Sequence, residues 1–230
     1  MRTTVWNEEI ADHTARVLFE TGSYLVDFNR PKENWFLWKS GIRAPCYCNC
    51  RYLNRSYEAY EAATAYIETT VRLRFQEVQL IVGLASAGVS WAARISSRLR
   101  LPMSFVRTVQ KKYGIGKLVE GNPENNAKAV IIDDLCGGGD TIFNAIEALK
   151  NEYQVQTLGF VTITNWCFKH MWERFDPLNV KIYSLTSYPH ILRIGVRTGR
   201  LTEEQATMLR EFYQAPLTYD WPLISNNQKP

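Results

Sequence analysis

Apolar residues recur at helical spacing over the first twenty positions, at Val5, Trp6, Ile10, Ala11, Ala15, Val17 and Leu18, and Gly22 then supplies a C-cap. The chain therefore opens with an amphipathic helix. That period is lost over residues 23–52, where Tyr24, Val26 and Phe28, and later Trp35 and Leu37, are broken by Pro31, Gly41 and Pro45. Short strands and turns are predicted there, as an appendage to the main fold. From residue 56 the pattern becomes regular: a helix over 56–74, an apolar burst at 78–84, a second helix over 88–99 and a strand near 102–107. Residues 108–126 (TVQKKYGIGKLVEGNPENN) hold three glycines and little that could anchor a core, which predicts a long mobile loop of functional character. The run AVIID at 129–133 is apolar until its last residue, as a parallel strand buried on both faces would be, and a glycine-rich turn leads into a helix over 140–150 and a strand near 157–164. Strand and helix alternate. The fold class is α/β, with a central, mainly parallel sheet flanked by helices.

No repeat or Pro/Gly/Ser linker splits the 230 residues, so a single domain is expected: helix and appendage over 1–55, α/β core over 56–185, C-terminal helices and tail over 186–230. With 46% apolar and 22% charged residues the chain is a folder. A net charge of +4, with the basic residues dispersed, gives little electrostatic support to a general nucleic-acid role. No apolar run reaches the roughly 18 residues of a membrane span, and the acidic, polar start MRTTVWNEEIADHT is unlike a signal peptide, so a cytoplasmic protein with no membrane partner is expected. Five cysteines, three of them in the run Cys46-Tyr47-Cys48-Asn49-Cys50, do not form a disulfide framework. The C-x-C-x-C run is a candidate soft-metal site, but His13, His170 and His190 do not stand at ligand spacing from it. The plainer reading is a half-buried strand with its thiols on one face.

The chemistry concentrates in AVIIDDLCGGGDTIFNAIEAL, residues 129–149. A buried strand ends in Asp133 and Asp134 and passes through Gly137, Gly138 and Gly139 into a helix at Asp140 and Thr141. Glycines let successive backbone N–H groups converge on a phosphate, the helix N-terminus favours negative charge, and Thr141 adds a hydroxyl donor. Paired carboxylates at the C-terminal edge of a parallel sheet suit a sugar's vicinal hydroxyls or a cation held through water. A helix-capping role for the pair is the alternative. The segment is neither a G-K-[ST] phosphate loop nor a G-x-G-x-x-G dinucleotide turn, because its carboxylates precede the glycines.

Two acids closing an apolar strand before a small-residue loop ending in Thr resemble the phosphoribosyl-diphosphate signature of the type I phosphoribosyltransferases. Other blocks narrow the resemblance to the orotate phosphoribosyltransferase branch: WKSGIRAPCYCN (38–49), GLASAGVSWAARISSRLRLP (83–102), FVRTVQKKYGIGKLVEG (105–121) and, more weakly, LRIGVRTGRLTEEQATMLREF (192–212). The resemblance implies the type I fold, with an N-terminal hood-like β segment and a mobile catalytic loop. It implies Mg²⁺-dependent transfer of ribose 5-phosphate from 5-phosphoribosyl 1-diphosphate to a nucleobase nitrogen, orotate in the branch's own reaction. The transition state has oxocarbenium character, so catalysis is positioning and electrostatics. By block, residues 137–141 would hold the 5-phosphate, and Asp133 and Asp134 the ribose hydroxyls. Ala85, Ser86, Ala87 and Gly88 would wrap the diphosphate through backbone amides, with Lys39, Arg107, Lys111 and Tyr113 around it. Lys111, Asp133 and Asp134 are the catalytic candidates, and Tyr47, Gly137, Trp166 and Lys169 the base-side ones. Mg²⁺ would be held mainly through the substrate's own oxygens, and a homodimer is implied because the family's mobile loop reaches a neighbouring subunit.

The chain departs from the branch's pattern in several places. Thr108 stands where a lysine is common, Gly137 where Thr or Ser is common, and Asp140 puts a carboxylate beside the expected phosphate. In TNWCFKH (164–170), Asn165 and Trp166 replace the acid and the arginine that pairs with orotate. Trp166 is then either a stacking partner for a base or core, and Lys169 a substitute carboxylate partner. Two rival functions follow: a binding protein that senses a phosphorylated sugar or nucleotide, alone or within a larger assembly, without turnover; and hydrolysis with water as acceptor.

Overall fold

The computed structural model describes residues 4–38, 41–109, 116–216 and 218–221. The first helix, α1 (Glu8–Glu20), starts where Asn7 accepts the Ile10 N–H at 2.9 Å and stops at Thr21, with Gly22 beyond it at φ +68°. Four short strands follow: β1 (Tyr24–Val26), β2 (Phe36–Leu37), β3 (Arg43–Ala44) and β4 (Cys46–Cys48). They pair antiparallel as β1 with β4 and β2 with β3, which is the expected appendage.

The α/β core begins with α2 (Tyr57–Arg74), capped by Ser56, and continues through β5 (Leu80–Leu84), α3 (Ala87–Leu99), β6 (Met103–Val106), β7 (Val119–Glu120), β8 (Lys128–Cys136), α4 (Asp140–Tyr153), β9 (Gln156–Asn165), α5 (Lys169–Phe175) and β10 (Lys181–Ser187). The strands form a six-stranded sheet in the order β10-β9-β8-β5-β6-β7, parallel except for β7. Alternation along β5 and β8 explains why these strands are apolar throughout. Ile81, Val130 and Ile132 face one core with Trp91 and Tyr188, while Leu80, Val82, Ala129 and Ile131 face the other with Ile142 and Phe175. Two terminal helices, α6 (Tyr188–Arg197) and α7 (Glu203–Gln214), close the first of these cores. None of the described helices is long and apolar enough to cross a membrane.

The expectation of an unbroken loop over 108–126 is corrected. Val119–Glu120 forms β7 against β6, and the Glu152 carboxylate accepts the Leu118 and Val119 N–H groups at 2.9 and 3.1 Å. Pairing across a reversal and a carboxylate one helix away are non-local, so the loop's own sequence carries no sign of them. The mobile-loop expectation for Lys111 and Tyr113 lies outside the described residues, as does Lys39.

Candidate functional site

Parallel strands β5, β8 and β9 all end at one edge of the sheet, and a cleft of about 1140 Å³ opens there. Crevices of this kind form beyond the carboxyl ends of parallel strands because the connecting loops diverge to helices on opposite faces. Its floor is the segment picked out from sequence, with residues 133–141 lining it continuously and Ala85, Ser86 and Ala87 facing them. The Ala85–Ser86 peptide is cis.

The three glycines differ in why they are glycine. Gly139 sits at φ +85°, and a Cβ there would lie 2.5 Å from the Phe175 ring. A Cβ on Gly138 would lie 2.7 Å from Nε2 of His170, so a side chain there would displace that imidazole. Gly137 is open: the nearest atom to its Cβ position is Trp166 Cδ1 at 3.6 Å, an ordinary contact. Gly88, expected among the diphosphate residues, is buried in the first turn of α3, where a Cβ would approach the Ile132 carbonyl oxygen to 2.4 Å and Asp133 Oδ1 to 3.1 Å. It seats the helix against β8 and does not line the cleft.

Asp133 is only 9% exposed, and its Oδ1 accepts the Asp134 N–H at 2.9 Å. Burial, and then the neighbouring Asp134 charge, push its carboxyl well above the ordinary carboxylate range. Burial raises Asp134 as well, against the opposing pull of Arg51, whose Nε lies 3.9 Å from Asp134 Oδ2. Two carboxylates held this unfavourably invite hydroxyl donors or a cation to offset their charge. Arg51 comes from the turn after β4 and was not singled out in the sequence. Asp140, whose charge threatened phosphate binding, is paired with Arg174 at 2.5 Å, and that guanidinium also lies 5.2 Å from the Phe143 ring centroid. Arg107 turns aside from the cleft to Glu120 at 3.0 Å and lines an adjoining pocket of about 290 Å³, while Thr108 lines both.

The opposite wall is aromatic. Trp166 is 5% exposed, with Trp38 at 4.9 Å and Tyr188 at 4.6 Å between ring centroids, so it fills core while an edge reaches the cleft. Tyr47 lines the same wall, stacked on Phe36 at 5.7 Å. Asn165 is fully buried, its Oδ1 accepting the Cys167 N–H at 2.7 Å. Lys169 is not brought to the cleft: 93% exposed, it pairs with Glu173 at 3.7 Å along α5. One position further on, His170 takes the cleft-facing place. Cys46, Cys48 and Cys50 are all buried free thiols with Cys48 and Cys50 sulfurs 3.6 Å apart, and no cluster of metal-ligating side chains occurs among the described residues.

An acid pair, one of them buried, a glycine loop and a helix start are gathered at one sheet edge, an arrangement suited to binding a phosphorylated sugar. Residues 53–170 match the phosphoribosyl transferase domain family. The orotate phosphoribosyltransferase of Bacillus mycoides (strain KBAB4) is 33% identical over 215 residues, which cover 93% of this chain and 98% of that one. The orotate phosphoribosyltransferase structure from Aeropyrum pernix superimposes with a TM-score of 0.69 at 24% identity, covering 81% of this chain and 98% of that chain. Leishmania donovani UMP synthase superimposes at 0.71 with 21% identity, covering 88% of this chain and 42% of that one, and both of these likenesses speak to the fold. The chain belongs to the phosphoribosyltransferase family, among its orotate phosphoribosyltransferase-like enzymes.

Proposed function

We propose that the protein transfers ribose 5-phosphate from 5-phosphoribosyl 1-diphosphate to a ring nitrogen of orotate or a closely related base, releasing diphosphate. The observation that carries this is the buried Asp133 and half-buried Asp134 beside the glycine loop of residues 137–141, on the floor of the cleft. The 5-phosphate is held by the loop amides and the Thr141 hydroxyl. Asp133 and Asp134 accept from the ribose hydroxyls, which offsets their burial, and their charge favours the cationic ring of the transition state. Ala85, Ser86 and Ala87 present backbone to the diphosphate, Lys39, Lys111 and Tyr113 supply its counter-charge and hydrogen bonds, and Arg107 joins them by exchanging its Glu120 contact for the diphosphate. Leaving-group charge is the largest that develops, so these contacts act on kcat more than on binding.

The site suits Mg²⁺. Asp133 and Asp134 offer hard oxygen donors, yet no third His, Cys, Asp or Glu joins them in a metal-ligating cluster among the described residues, so the ion would rest chiefly on substrate oxygens and water. When bound it supplies charge neutralisation at the diphosphate. On the acceptor side, Trp166 and Tyr47 give flat apolar surface to a base. A homodimer in the cytoplasm, with the part of the loop that precedes Leu118 closing over the neighbouring site to exclude water, completes the reading.

The test is diphosphate release from 5-phosphoribosyl 1-diphosphate with Mg²⁺, using orotate, other bases or no base as the acceptor condition. Release that depends on orotate supports the proposal. Binding without release under every condition sinks it in favour of a sensor, and release with no base present would indicate transfer to water.

A further inference from the structure

We infer that His170 binds the substrate's 5-phosphate, donating from Nε2 across the bare backbone of Gly138. The inference rests on the transfer reading above and adds a residue to it. The imidazole nitrogen lies 2.7 Å from the position a Gly138 Cβ would occupy, so it sits against the glycine loop that lines the cleft. Anything larger than glycine at 138 would displace it. The ring is held in that place by a stack of neighbours: its centroid lies 5.6 Å from Phe168 at 21° between planes, and Phe168 stacks at 5.5 Å on Tyr213, whose hydroxyl donates to the Cys167 carbonyl at 2.7 Å.

His170 has no hydrogen-bond or ion-pair partner among the described residues, although it is exposed and lines the cleft. The charged groups around it already have partners. Asp140 on α4 is held by Arg174, and Lys169 and Glu173 on its own helix pair with each other. Arg174 holds only Oδ1 of Asp140, whose Oδ2 stands 3.4 Å from the same Gly138 Cβ position, so an anion resting on the loop would meet the His170 N–H beside a carboxylate that the guanidinium half neutralises.

Three substrate anions reach this cleft: the 5-phosphate, the 1-diphosphate, assigned above to Ala85, Ser86 and Ala87, and the carboxylate of an orotate-like base; position decides among them. Nε2 lies over Gly138, in the middle of the phosphate loop, whereas the acceptor wall is formed by Trp38, Tyr47 and Trp166. Calorimetric titration of ribose 5-phosphate into wild type, His170→Ala and His170→Gln tests the assignment, with steady-state KM values for both substrates alongside. His170→Ala is expected to weaken ribose 5-phosphate by about tenfold to 150-fold and to raise KM for 5-phosphoribosyl 1-diphosphate similarly, the range of a hydrogen bond to a charged group. KM for the acceptor should not move, and His170→Gln, whose amide reaches much the same point, should recover most of the loss. Unchanged ribose 5-phosphate affinity in a folded His170→Ala protein overturns the assignment, and a rise confined to the acceptor KM transfers the residue to base recognition. Wild type that binds no ribose 5-phosphate would sink the transfer reading together with this one, so the two failures are distinguishable.

Discussion

Replacing Gly88 by Ala adds one methyl group in the place where the sheet and the site are least able to receive it. The new Cβ would sit 2.4 Å from the Ile132 carbonyl oxygen, and ordinary contact begins near 3.4 Å, so α3 and β8 must part by about 1.0 Å (3.4 − 2.4). Neither wall yields easily. Gly83 of β5 packs on the same helical turn, its own Cβ position 2.9 Å from the Gly88 carbonyl oxygen, and Ile132 is fully buried. Overpacking of this kind costs about 1–3 kcal/mol. For a chain of this size, each kcal/mol lowers Tm by roughly 2–4 °C. The catalytic consequence is larger than the structural one, because the residue after Ile132 is Asp133, whose Oδ1 lies 3.1 Å from the added atom. A misplacement of about 1 Å in a reacting constellation can cost on the order of 100-fold in rate. Gly88→Ala should thus remain folded, melt several degrees lower and lose about two orders of magnitude in kcat/KM for diphosphate release. Gly137→Ala is the control, since its Cβ meets only Trp166 Cδ1 at 3.6 Å, and it should melt like wild type. A Gly88→Ala protein with wild-type Tm and wild-type kcat/KM would refute the reasoning.

Other consequences follow from the charges and thiols of the site. Asp133→Asn should abolish transfer yet stabilise the empty protein, because the fold raises this carboxyl and so favours its protonated form. Wild type then loses stability as pH climbs from the unfolded carboxylate value near 4 through the raised folded value, whereas the amide does not; the Tm advantage of the variant should grow between about pH 5 and about pH 8, and an advantage that shrinks would contradict the assignment. Arg174→Ala frees the Asp140 carboxylate beside the phosphate loop. With the pair partly solvent-exposed the effect should be modest, about 0.5–1 kcal/mol or a twofold to fivefold rise in KM for 5-phosphoribosyl 1-diphosphate, and Asp140→Asn in the same protein should reverse it. All five thiols are buried; burial pushes Cys46 up to about 12, and Cys50 and Cys136 are also well above the ordinary thiol range. An aromatic disulfide reagent should therefore label the native protein at no more than Cys48, which lines the cleft and at 8% is the most exposed of the five, and rapid labelling of several thiols would show that the appendage opens.

The amino-acid sequence by itself determined the local elements and the phosphate loop. The helix expected over 56–74 is Tyr57–Arg74, the strand AVIID lies within Lys128–Cys136, and the helix expected over 140–150 is Asp140–Tyr153. These follow from periodicity, caps and glycine, which act over a few residues and are written in neighbouring letters. Asp133, Asp134 and residues 137–141 share the floor of the cleft for the same reason: they are one continuous piece of chain.

Only the tertiary structure decided what else joins them. Arg51 reaches Asp134 across more than eighty positions, Arg174 reaches Asp140 across more than thirty, and β10 becomes a sheet edge through its partner β9. Gly88 was expected to wrap the diphosphate through its backbone amide, and the tertiary structure adds that a helix rests on a strand there. Lys169 and His170 are neighbours in sequence, but successive residues on a helix point about 100° apart, so one meets solvent and the other the loop. Which of two adjacent side chains enters a site depends on how a helix is rotated against its sheet, and that rotation is set here by Phe175 and Met171 packing on β8 and β9, not by either residue itself.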